Sequence, residues 1–133
     1  ASIDLERDMR KEIKLTQLKI EAGAQFFISQ PTFNPSKPIE FMDRYAQQYG
    51  KDLSQPIFHG VQMMSRDSIG FGNIPTWVSS DLDKGRSGED IAAQVLQSFV
   101  RMGLRTIYLV PPILKGGLRD YDAAQSIIET FRR

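Results

Sequence analysis

Residues 22–35 read AGAQFFISQPTFNP, a short apolar run that ends at a glutamine, a proline and a polar turn. Two aromatic side chains and an isoleucine within a few residues are typical of a strand that is buried on both faces, as parallel strands are. We therefore predict a strand from Gln25 to Gln30, ended by Pro31. Gln30 then stands at the carboxyl end of this strand, with an amide that can both donate and accept hydrogen bonds.

Two further apolar runs of strand length follow, PIFHGVQMM at residues 56–64 and RTIYLVPP at residues 105–112. Helical periodicity lies between the strands, and the most regular helix opens on Ser87 and Asp90, a capping-box-like start. The predicted helices cover these parts of the chain: residues 2–22, Pro38 to Gly50, residues 74–82, residues 85–103 and residues 121–133. Strands that alternate with helices in this way indicate βα units around a parallel sheet.

The number of strands limits the architecture. A closed (β/α)8 barrel typically needs ~250 residues, about twice the 133 residues here. Residues 1–133 therefore fit a single α/β unit that is either a piece of a barrel or a small doubly wound domain. In both folds the carboxyl ends of the strands face one opening, so we expect a site near Gln30, residues 62–64 and residues 111–112.

The composition argues against several functional classes. The chain has 17 basic and 16 acidic side chains and a net charge of +1, without the basic cluster that nucleic acid requires. It has no cysteine and one histidine, which excludes disulfides and disfavours a protein-built metal site. No segment approaches the ~20 apolar residues that cross a bilayer, and no leader opens the chain. We expect a cytoplasmic protein with no nucleic-acid or membrane partner.

Three phrases resemble, in order and separation, the last three βα units of the methylenetetrahydrofolate reductase family: LKIEAGAQFFISQPTFN, PIFHGVQMM and TIYLVPPI. The first is the most specific. Lys19 to Ala24 matches the family's Lys-hydrophobic-acidic-Ala-Gly-Ala stretch, and Ser29 with Gln30 matches a strand that ends in Ser-Gln or Thr-Gln. The resemblance covers nearly the whole chain. It implies that the chain is the C-terminal portion of a (β/α)8 TIM barrel, with about three parallel strands and flanking helices.

The resemblance also implies a flavoprotein oxidoreductase of one-carbon metabolism. Such an enzyme moves a hydride from NADH or NADPH, through FAD, to methylenetetrahydrofolate and forms methyltetrahydrofolate. Gln30 would contact the pterin of the reduced folate, and Phe71 is the candidate aromatic for stacking on the folate. Lys19 and Glu12 would bind FAD from the helix before the strand. Leu15 and Leu18 stand where the family has polar or basic side chains.

The family's catalytic acid and its flavin-tuning aspartate belong to earlier strands, so the resemblance places no catalytic residue in this chain. The chain alone would be inactive and would need the N-terminal half of the barrel, supplied by the same polypeptide or by a second chain. A homo-oligomer is a further option. The basic residue that the family often places after its last strand has Lys115 as its nearest counterpart.

Structural interpretations compete with these functional ones. Gln30 could satisfy neighbouring backbone groups, and Lys19 could be an ordinary exposed lysine. His59 lies beside Gly60 in an apolar run, with no partner at catalytic spacing, which favours a satisfied core histidine or one that lines a pocket. The alternative to an oxidoreductase subunit is a non-catalytic, barrel-derived interaction module whose open strand edges and apolar face bind a partner.

Overall fold

The structure is a computed structural model that describes residues 1–70 and 72–132, without the side chain of Arg132. Within these residues the elements follow in this order: β1 (Ser2–Ile3), α1 (Met9–Glu21), β2 (Phe27–Ser29), α2 (Ser36–Tyr49), β3 (Ile57–Gln62), β4 (Ser68–Ile69), α3 (Thr76–Asp83), α4 (Gly88–Arg101), β5 (Ile107–Val110), β6 (Ile113–Leu114) and α5 (Tyr121–Arg132). The three predicted strands are present as β2, β3 and β5. The predicted start of the most regular helix is also confirmed, because the Ser87 hydroxyl accepts from the Asp90 backbone N–H at 3.1 Å.

β1, β2, β3 and β5 form a parallel four-stranded sheet in the order in which they occur along the chain. Ser2 is aligned with Ile28, Ile28 with Phe58, and Gly60 with Tyr108. A doubly wound domain reverses its strand order at a switch point. The sequential order matches instead an arc of a (β/α)8 barrel, which is open in the described residues.

The helices cover one face of this sheet. On that face Phe27 and Ile57 pack with side chains of α1 and α2, while Val61 packs with side chains of α3, α4 and α5. Phe27 and Val61 are fully buried. Full burial of an apolar side chain contributes roughly 1.5–3 kcal/mol. This face therefore supplies the apolar packing that joins sheet and helices.

The opposite face of the sheet carries apolar side chains that remain accessible. Ile28 and Phe58, neighbours on β2 and β3, are 42% and 38% exposed. Phe58 meets Phe26 edge to face, with ring centroids 5.9 Å apart. In a barrel this face lines the interior and is filled by side chains from the facing strands. The described residues thus form an open α/β half whose inner face is not buried within them.

The helix predicted over residues 2–22 is wrong at its start. Ser2–Ile3 forms β1, which pairs with β2, and α1 begins only at Met9. The Asp8 carboxylate caps α1 by accepting from the Lys11 backbone N–H at 3.2 Å. The sequence does not predict β1, because the strand has only two residues, buries only Ile3 and lies in a charged segment whose apolar residues have helical spacing.

A second, small sheet forms from two segments in which the sequence predicts no strand. β4 and β6 pair antiparallel, with Ser68 opposite Leu114 and Ile69 opposite Ile113. Strands of two residues have no readable periodicity, so the sequence gives no signal for this pairing. The pairing ties the loop after β3 to the loop after β5, at the carboxyl end of the main sheet.

Phe27→Ala should lower the free energy of unfolding of this chain by ~3–5 kcal/mol, the usual cost of deleting a buried aromatic side chain. Phe26→Ala is the matched control, because Phe26 is 46% exposed and its edge-to-face contact is worth ~1 kcal/mol. Urea unfolding followed by circular dichroism measures both losses. Equal losses would contradict the assignment of a covered and an uncovered face.

Candidate functional site

A cleft of about 460 Å³ opens at the carboxyl ends of β2 and β5. Its lining comes from the ends of these strands and from the loops tied together by β4 and β6, and comprises Gln30, Pro31, Gly72, Tyr108, Val110, Ile113 and Arg119. This is the edge of the sheet where parallel α/β folds bind their ligands. The cleft therefore lies where the sequence predicts a site.

Gln30 is exposed in this cleft, directly after β2. Its backbone N–H donates to the carbonyl oxygen of Ile3 at 3.0 Å and so extends the β1–β2 ladder. Within residues 1–70 and 72–132, its side-chain amide has no hydrogen-bond partner. The interpretation that this amide satisfies neighbouring backbone groups does not fit these contacts. Its donors and acceptor are available to a ligand.

Tyr108 lines the same cleft from β5. Its hydroxyl donates to the carbonyl oxygen of Ser29 at 2.6 Å. Burial raises the pKa of the Tyr108 phenol above its ordinary value. The hydroxyl therefore keeps its proton at neutral pH and remains a donor. The sequence predicts only that Tyr108 lies in a strand. Its hydrogen bond with Ser29 joins residues far apart in the chain, and a local pattern cannot reveal such a contact.

Arg119 gives the cleft its basic group. Its guanidinium donates to the Gly117 carbonyl oxygen at 3.3 Å, and none of the ion pairs among the described residues includes it. A guanidinium with unused donors suits a carboxylate, which it can bind through two parallel hydrogen bonds. The family resemblance gives Lys115 as the nearest counterpart of a basic residue after the last strand, but Arg119 is the basic residue that lines the cleft. A bridge from Ile113 to Arg119 turns the loop back toward β5, a contact that spacing along the chain does not reveal.

The two residues assigned to FAD, Glu12 and Lys19, lie on α1 and do not line this cleft. Glu12 is 1% exposed, and its two carboxylate oxygens accept from the Asp4 backbone N–H at 2.9 Å and from Arg7 at 3.2 Å. The Lys19 ammonium donates to the Ser2 carbonyl oxygen at 2.7 Å. Both side chains thus stabilise the segment that contains β1, and the structure does not bring them together with Gln30.

Phe71, the predicted folate-stacking residue, lies outside the described residues. The residue after it, Gly72, lines the cleft and has φ +64°, and a Cβ there would lie 2.6 Å from the Glu6 carboxylate. Glu6 also accepts from the backbone N–H of Asn73 at 2.8 Å. The loop after β1 therefore holds the loop that forms one wall of the cleft.

His59 lies away from this cleft, on the helix-covered side of β3. It is 5% exposed, and its Nδ1 has no hydrogen-bond partner in the part of the chain that is described. Burial lowers the pKa of His59, so the neutral imidazole is favoured. His59 is therefore buried in the core, as expected, but its Nδ1 is not satisfied as that expectation requires. Across residues 1–70 and 72–132, no three potential metal-ligating side chains gather into a metal site, and no helix has the length and apolarity needed to span a membrane.

The parallel sheet has its strands in sequential order and its helices on one face, which is the arrangement of an open α/β half of the (β/α)8 kind. The cleft lies at the carboxyl ends of its strands. A solved structure of an uncharacterised protein from Clostridium thermocellum has a similar fold over 98% of this chain, with a TM-score of 0.69 and 18% identity. That protein binds two copies of 5-methyl-5,6,7,8-tetrahydrofolic acid. The match covers 52% of its length, so the present chain spans about half of it. No protein-family model and no curated protein sequence matches the chain.

Protonation of His59 should destabilise the fold. Because its pKa is lower folded than unfolded, its contribution is complete above the unfolded value of 6.5 and is lost as the pH falls toward the folded value. His59→Gln should therefore lose less stability than the wild type between pH 7.5 and 5.5. Urea midpoints at the two pH values measure this difference. Identical pH dependence in both proteins would show that His59 does not contribute.

Proposed function

We propose that this chain is the C-terminal, reduced-folate-binding half of a (β/α)8 barrel. Gln30 carries the proposal, because its unpaired amide stands in a cleft at the carboxyl edge of the sheet. The position of Gln30 also matches the strand-end Ser-Gln of the methylenetetrahydrofolate reductase motif. The ligand of the similar Clostridium thermocellum protein, 5-methyl-5,6,7,8-tetrahydrofolic acid, supports the choice of ligand class.

The chemistry of the cleft fits the two ends of a reduced folate. A pterin edge presents adjacent donors and acceptors, and a glutamine amide offers both at once. The glutamate tail of a folate carries carboxylates, which match the guanidinium of Arg119. Val110 and Ile113 supply apolar lining for the aromatic linker between the ends. A volume of about 460 Å³ is ordinary for small-molecule sites, which range over ~300–1,000 Å³.

The finer form of the proposal is a flavin-dependent oxidoreductase that reduces methylenetetrahydrofolate to methyltetrahydrofolate, with NADH or NADPH as the source of electrons. The motif from Lys19 to Gln30 supports it. The contacts of α1 do not fit a flavin surface, because the Glu12 oxygens are bonded within the chain and the Lys19 ammonium is bonded to Ser2. A flavin would depend on residues outside this chain, as would the catalytic acid.

The inner face of the sheet is not covered by the described residues. We therefore also propose a partner that covers this face and completes the barrel. Ile28 and Phe58 are exposed there, and β1 and β5 are the edges of the four-stranded sheet. Edges of this kind accept further strands. The remaining half comes from the same polypeptide, from a second chain or from a second copy. A module that only binds such a partner, without folate, is the alternative function.

Gln30→Ala should weaken binding of 5-methyltetrahydrofolate by the full-length protein roughly 5- to 30-fold. The reason is the loss of one or two hydrogen bonds worth about 1–2 kcal/mol in total. Isothermal titration calorimetry measures the affinity, and Gln47→Ala, on the exposed side of α2, is the matched control. Equal affinity of the Gln30 variant and the wild type would remove Gln30 from the site. A wild-type protein that binds no reduced folate would favour the interaction module.

The full-length protein, reconstituted with FAD, should retain the flavin through gel filtration and absorb near 450 nm if the finer form holds. Gln30→Ala should leave this absorbance unchanged, because the amide is assigned to the folate. A protein that binds the folate but takes up no flavin would rule out the reductase and leave a folate-binding protein, for example one that serves methyl transfer.

A further inference from the structure

Three strands are tied together at the peptide group that carries Gln30. Tyr108 of β5 reaches past β3 and donates from its hydroxyl to the Ser29 carbonyl oxygen of β2, at 2.6 Å. That carbonyl belongs to the peptide unit that joins Ser29 to Gln30. The N–H of the same unit donates to the Ile3 carbonyl oxygen of β1 at 3.0 Å. The peptide unit is therefore held on both sides, by a backbone group and by a phenol.

Where the backbone pairing of β2 with β3 ends, hydrogen bonds from side chains take over the contact between the strands. The residue pairing of β2 with β3 ends at Ile28 and Phe58. One step further on, the backbone N–H of Gly60 donates to the Ser29 hydroxyl at 3.2 Å. The Ser29 carbonyl oxygen is taken by Tyr108. The direction in which the chain leaves β2 thus depends on the phenol as well as on the strand next to it.

Gly60 makes room for the phenol. A Cβ at this position would lie 2.6 Å from the Tyr108 hydroxyl oxygen and 3.0 Å from the Ser29 carbonyl oxygen. Both distances are shorter than ordinary van der Waals contacts. Any side chain at position 60 would displace either the phenol or the peptide that the phenol holds. The glycine in the middle of β3 is thus explained by the close approach of Tyr108.

We propose that Tyr108 is a positioning residue that sets the affinity of the cleft for the ring end of a reduced folate. It acts through the peptide between Ser29 and Gln30, because its one hydroxyl proton is used by the Ser29 carbonyl oxygen. The ligand in this inference rests on the proposed function, whereas the ordering of Gln30 rests on the contacts alone.

Tyr108→Phe tests the inference by removing the hydroxyl and keeping the ring. In the full-length protein, affinity for 5-methyltetrahydrofolate should fall about 3- to 10-fold, the effect of one hydrogen bond. In a Gln30→Ala background the same change should have almost no effect, since Tyr108 acts through that side chain. Equal losses in the two backgrounds would contradict positioning of Gln30. Tyr49→Phe on α2 is the matched control and should leave the affinity unchanged.

Fragments of the ligand separate its two ends. Tyr108→Phe should weaken binding of 6-methyltetrahydropterin, which is the ring alone, and should leave binding of p-aminobenzoylglutamate unchanged. Arg119→Gln should give the reverse pattern. Equal weakening of both fragments by Tyr108→Phe would overturn the inference, because a general loosening of the cleft does not discriminate between them.

A ligand-free measurement distinguishes failure of this inference from failure of the proposed function. In the full-length protein, ¹⁵N relaxation should give the Gln30 backbone amide an order parameter of about 0.85, the value of a rigid backbone. Tyr108→Phe and Gly60→Ala should both lower it. If the wild type binds no folate but Gln30 loosens in these variants, the proposed function fails and the positioning role stands. Unchanged order at Gln30 in Tyr108→Phe would overturn the positioning role, whether or not folate binds.

Discussion

Apolar burial on one face of the parallel sheet is the interaction on which the rest of the molecule depends. Phe27 is fully buried against α1 and α2. Because successive side chains of a strand point to opposite faces, this burial places Ile28 and Gln30 on the other side. A slip of one residue would put the Gln30 amide into the apolar cluster and Ile28 with it. The packing that stabilises the sheet therefore also directs the amide into the cleft.

The parts of the fold that the sequence predicts are those with apolar side chains at several consecutive positions. β2, β3 and β5 have the short apolar runs that are typical of parallel strands covered on both faces, and the helices between them show regular periodicity. In the described residues only one face of the sheet is covered, and Ile28 of β2 is exposed on the other. β1, β4 and β6 have two residues each and exist only through pairing with distant segments. A pattern within one segment cannot report a partner in another. These three strands were therefore missed.

For the residues of the candidate site, too, prediction succeeds where a position depends on one local segment and fails where it depends on contacts between distant segments. The position of Gln30 was predicted because it depends on a single strand end, which Pro31 marks in the sequence. Its role as a folate contact came from the family resemblance and stays a prediction. Arg119 was missed because its place depends on the turn formed after β6, whereas Lys115, which follows β5 more closely along the chain, does not line the cleft. Glu12 shows the opposite failure, a residue that was assigned to the site and lies outside it. The family resemblance implies a cofactor-binding carboxylate at this position, yet burial and two intrachain hydrogen bonds give Glu12 a part in holding the segment around Asp4.

The close approach of Tyr108 to Gly60 constrains how this sequence can diverge. Position 60 is open to a larger side chain only where the phenol at position 108 has been lost, since the two occupy the same space. A Tyr108 lost alone would leave a small void beneath the Ser29 carbonyl oxygen, while a larger residue gained alone at position 60 would force the strands apart. Among descendants of this sequence, the two positions are therefore expected to vary as a pair, with loss of the tyrosine preceding loss of the glycine.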